Sequence, residues 1–108
     1  MYRDMFRKEL EIFSTNPVKA ITLALPGFCD ALPLLKHQPP KTDELIEFII
    51  SKYDNTMLLM PFDENKNWYR VVNEVDSFLK KDGYSNNQDL LASFIYDVYY
   101  IFEFFKGG

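Results

Sequence analysis

The stretch from Ser85 to Lys106, SNNQDLLASFIYDVYYIFEFFK, constrains the fold most tightly. Leu91, Phe94, Ile95, Val98, Ile101, Phe102 and Phe105 recur at three- and four-residue steps, so they make one broad apolar face of a helix. Ser85 followed by Gln88 reads as a capping box. Asp89 in the first turn and Lys106 in the last complement the helix dipole. The opposite face holds Tyr96, Tyr99, Tyr100 and Phe104 among Asp89, Asp97 and Glu103. A helix this apolar on both sides is either enclosed by the rest of the chain or offers its second face to a partner.

The other helices follow from periodicity and punctuation. Tyr2, Met5, Phe6, Leu10 and Phe13 share a face, which predicts an amphipathic helix over 2–14. Asn16 before Pro17 reads as a cap and a first helical proline. A helix over 17–25 follows, with Val18, Ile21 and Leu25 inward, ended by Pro26-Gly27. Residues 28–40 are open between a short helix and irregular chain, closing on the stiff Gln38-Pro39-Pro40. Thr42 then caps a helix with Asp43 and Glu44 in its first turn and Leu45, Ile46, Ile49, Ile50 and Tyr53 inward. Met57–Met60 is a short apolar run without a partner strand, so it reads as a buried connector or a helical turn. Trp68, Val71, Val72, Val75, Phe78 and Leu79 predict a helix over 64–82, with Gly83 as the left-handed residue after it. The short connection at Asp82–Ser85 makes the last two helices an antiparallel hairpin. These readings add up to an all-α single domain, 1–108, a bundle of four to six helices with the aromatic C-terminal helix at its centre. Ten Phe and seven Tyr in 108 residues supply the buried area that so small a core needs.

Charge narrows the function. The net charge is -4, unevenly spread. Residues 1–41 hold six basic and four acidic residues, a net of +2, whereas 42–108 hold six basic and twelve acidic, a net of −6. An acidic majority disfavours nucleic acid and favours a basic partner. The single cysteine, Cys29, points to a reducing cytoplasm, and no apolar run approaches the roughly 20 residues of a membrane span.

Candidate chemistry is sparse. Cys29 and His37 lack the orienting third group and oxyanion donors of a Cys–His enzyme. Asp43, Glu44 and Glu47 sit on one helix turn without the loop spacing of a calcium site, and the dipole accounts for the first two. Neither a metal nor another cofactor is expected, and the chain reads as a non-enzyme. What remains is the aromatic-acidic strip of Tyr96, Asp97, Tyr99, Tyr100 and Glu103, residue types suited to a protein interface. The expected function is a small acidic cytoplasmic inhibitor of a basic enzyme, of the immunity-protein or antitoxin kind that neutralises a nuclease. The alternative is a regulatory or adaptor domain that homodimerises through the aromatic helix.

Overall fold

The computed structural model describes residues 2–28, 42–54, 66–84 and 87–107. They form six helical segments: α1 (Tyr2–Met5), α2 (Arg7–Phe13), α3 (Pro17–Phe28), α4 (Thr42–Ser51), α5 (Lys66–Lys80) and α6 (Gln88–Gly107). No strand occurs among the described residues, and the fold is the expected all-α bundle. Cys29, His37, Met57–Met60 and the chain from 29 to 41, for which the sequence carries expectations, lie outside the described residues.

Helix α6 is the hub. Its inward face packs against α3, α4 and α5, and Phe13 of α2 reaches Phe102 and Phe105 at ring centroid distances of 6.1 and 5.4 Å. Leu91, Phe94, Ile95, Val98, Ile101 and Phe105 are all buried, as their spacing predicts, while Phe102 lies at the core edge. The partners contribute the stripes read from their own periodicity: Ile21 and Leu25, then Leu45, Ile46 and Ile49, then Trp68, Val71, Val72, Val75 and Leu79. Helices α5 and α6 run antiparallel. Gln88 meets Asn73 at the start of α6, and Tyr96 and Tyr99 meet Trp68 further along, as α5 is read backward.

Local chemistry sets the element ends. Asn16 accepts the Lys19 N–H through its side-chain oxygen at 3.1 Å, with Pro17 opening α3. After α5, the Gly83 N–H reaches the Lys80 carbonyl and the Tyr84 N–H reaches the Leu79 carbonyl, the paired bonds of a Schellman ending. Gly83 has φ 86, a conformation that side chains with a Cβ resist.

Several boundaries differ from the periodicity. The N-terminal helix is broken at Phe6, which has φ -108 and ψ 30. The break lets Phe6 turn inward and stack on Phe28 at 4.4 Å, while Met5, expected inward, is 63% exposed. Helix α3 does not stop at Pro26 but runs through it to Phe28. Proline there costs one backbone hydrogen bond in the last turn, and the extra turn places the Phe28 ring against Phe6, Tyr100, Phe104 and Phe105. Gly27 permits this approach, because a Cβ on it would stand 3.0 Å from the Phe6 ring. Helix α4 takes Thr42 as its first helical residue rather than its cap. Helix α6 opens at Gln88, with Asn87 accepting the Asp89 and Leu90 N–H groups at 2.9 and 3.2 Å. Asn87 thus takes the capping role assigned to Ser85, which lies outside the described residues.

Candidate partner-binding site

Successive residues of α6 are turned by about 100° about its axis, and this rotation sorts the aromatic-acidic strip. Tyr96 and Tyr100, one turn apart, point away from the core and are 46% and 49% exposed. Tyr99 is rotated off that line and is fully buried at 0% exposure. It therefore belongs to the core and leaves the candidate interface. Its ring packs on Tyr53 and Trp68, with centroids at 4.9 and 5.7 Å. The phenol donates to the Ile49 carbonyl at 2.6 Å, so its polar end is satisfied inside. Burial pushes that phenol well above its usual pKa, with the nearby Tyr53 and Glu74 adding to the shift. The signal was present in the sequence: Tyr99 stands four residues after Ile95 and three before Phe102, both on the apolar face.

Glu103 is half-buried and tied within the chain. It accepts the Tyr53 hydroxyl at 2.6 Å and the Lys106 ammonium at 3.4 Å. The Tyr53 hydrogen bond is the main reason its carboxyl lies below the usual range; partial burial opposes this and Lys106 reinforces it. The Lys106 ammonium also lies over the Phe102 and Tyr53 rings, at 5.2 and 5.7 Å. Burial and Glu103 together raise the Tyr53 phenol. Glu103 thus fastens α6 to the end of α4, and its charge is already partly neutralised. Asp97 is half-buried beside the exposed tyrosines.

Within α6, Gln88, Asp89, Leu90, Ser93, Tyr96, Tyr100, Lys106 and Gly107 are exposed; Asp89, Ser93, Tyr96 and Tyr100 share its outer side, with Asp97 at their flank. The tyrosines are supported from beneath by rings that the sequence could not assign to them. Trp68 stacks on Tyr96 with centroids at 6.0 Å and planes at 30°, and Phe28 meets Tyr100 edge-on at 6.0 Å. Compared with protein-family models, curated proteins and solved structures, the chain matches none. Among the described residues no group of three or more His, Cys, Asp or Glu side chains is placed to hold a metal ion. No helix among them is long and apolar enough to cross a membrane.

Proposed function

We propose that this protein is a binding module that engages a basic protein partner through the outer face of α6, acting as a cytoplasmic inhibitor of a basic enzyme such as a nuclease toxin. One observation carries the reading. Tyr96 and Tyr100 stand half-exposed on a helix whose core face is complete without them, each ring held from below by another. Rings fixed before binding lose little conformational freedom in the complex, which is what makes tyrosine an effective anchor. Asp89 and Asp97 lie on or beside the same face, and the net charge is -4, so a cationic partner would be steered toward it.

The test is kinetic. A partner recovered from the native host by pull-down and mass spectrometry is measured against the purified chain by stopped flow. Association should slow steeply between 0.01 and 0.15 M salt, as the screening length contracts from about 30 to about 8 Å. Asp97→Lys should lower the on-rate, and Tyr96→Ala or Tyr100→Ala should raise the off-rate by about 2 kcal/mol at the anchoring ring. An on-rate indifferent to salt, with both tyrosine variants binding like the parent, would move the interface off α6.

A second reading is favoured by Leu90, which is 60% exposed on the same helix. Tyr96 and Tyr100, one turn apart, make an exposed aromatic ridge suited to a second copy of α6, as a homodimeric adaptor requires, and Leu90, about 120° round the helix from Tyr96, adds exposed apolar area nearer its start. Light scattering on the chain alone separates the two: a stable dimer supports the adaptor, a monomer the inhibitor.

A further inference from the structure

A trench runs between α4 and α5, on residues other than those of the α6 face. It is open to solvent and has a volume of about 380 Å³, within the range of small-molecule sites. Its floor is the pair Phe48 and Phe78, with ring centroids 4.7 Å apart and planes at 30°. Lys52, Arg70 and Lys81 line it with a single acidic residue, Glu74, a local net charge of +2 in a chain of net charge -4. The one carboxylate is already engaged, since Lys52 lies 3.6 Å from Glu74. The Lys52 ammonium also stands 5.2 Å over the Phe48 ring. Arg70 and Lys81 are exposed and have no ion-pair partner among the described residues. They lie at opposite ends of the trench, separated by about 16 Å of helical rise. Ser77, on the same side of α5, adds a hydroxyl between them.

We propose that this trench binds a small aromatic anion, a ring bearing a carboxylate, sulfonate or phosphate. The ring would lie on Phe48 and Phe78, where stacked or edge-on contact is favourable. The anionic group would meet Arg70, whose planar fork suits paired oxygens, or Lys81 as a point charge. An apolar neutral ligand would leave both cations unused. A long polyanion would extend beyond the positive patch onto acidic surface. A cation would face the excess of Lys and Arg.

The probe is 2-naphthoate, titrated into the isotopically labelled chain and followed by backbone amide shifts, with 2-naphthalenemethanol as the uncharged analogue. Shifts should be confined to the facing sides of α4 and α5, and the alcohol should bind far more weakly. Arg70→Gln or Lys81→Gln should weaken naphthoate about tenfold at the residue that holds the carboxylate, the size of one charge-assisted hydrogen bond. Both residues are exposed, so these variants should melt like the parent, and Phe48→Leu offers a separate test of the floor. Equal binding of the alcohol would overturn the proposal. So would shifts centred on Tyr96 and Tyr100, or undiminished affinity in the doubly substituted Arg70→Gln, Lys81→Gln chain.

Discussion

At the scale of single residues, Tyr99 shows how one side chain can serve as both core and fastener. Its ring fills the space between Tyr53 and Trp68, and its hydroxyl bonds the Ile49 carbonyl where α4 passes. Tyr99→Phe keeps the ring and loses the hydrogen bond, so urea denaturation should show a loss of about 0.5–1.5 kcal/mol. The Ile49 carbonyl also accepts the Lys52 N–H, which limits the penalty for losing the phenol. Phe94→Ala removes a whole ring from a site with 1% exposure, and should cost about 3–5 kcal/mol. Phe102→Ala, at the core edge, should cost less. A Phe94 variant as stable as the parent would contradict the packing of α6. Trp68 is 1% exposed, so its emission should be blue-shifted in the native state and move red on unfolding.

Elements are held in place by their ends. Asn87 supplies an acceptor to two N–H groups that α6 itself leaves unpaired. Asn87→Ala should destabilise by about 1 kcal/mol, and Asn87→Asp should retain most of the cap. Gly83 has open space around it, so Gly83→Ala tests backbone conformation alone. At φ 86 the substitution should destabilise by about 1 kcal/mol. Gly27→Ala is a different experiment, because its Cβ must displace the Phe6 ring. It should disturb the Phe6–Phe28 stack and loosen α2 from α3, seen as faster amide exchange at Leu10, whose N–H bonds the Phe6 carbonyl.

For the whole molecule, pH reports how α4 and α6 are tied together. The Glu103 carboxyl titrates below the ordinary value of about 4.3 because the folded chain hydrogen-bonds its ionised form. In the window below about pH 4.3 the unfolded chain binds the proton first, so stability falls as pH drops toward the folded value. Glu103→Gln should flatten that acid limb in thermal melts, and so should Tyr53→Phe, which removes the main hydrogen bond. The two phenols behave in the opposite sense. Tyr53 and Tyr99 are held above the ordinary tyrosine value, so stability is intact below about pH 10 and declines as pH rises beyond it. Tyr99→Phe should lessen that alkaline decline.

The helical class, the apolar stripes and two of the helix-end devices are legible in the residues alone. Each of these is encoded within a turn or two of chain, by the 3.6-residue period or by residues such as Asn16 and Gly83 whose backbone chemistry is local. Tertiary structure decided what those rules leave equal. Helix α3 runs through Pro26 because Phe28 gains four ring contacts from segments far along the chain. Tyr99 is inside while Tyr96 and Tyr100 are outside because α4 and α5 approach from Tyr99's side. The pairing of Phe48 and Lys52 with Arg70, Phe78 and Lys81 likewise depends on how α4 and α5 meet. Helical periodicity says which residues share a face; only the packing of other helices against that face decides which of its margins stays open to solvent.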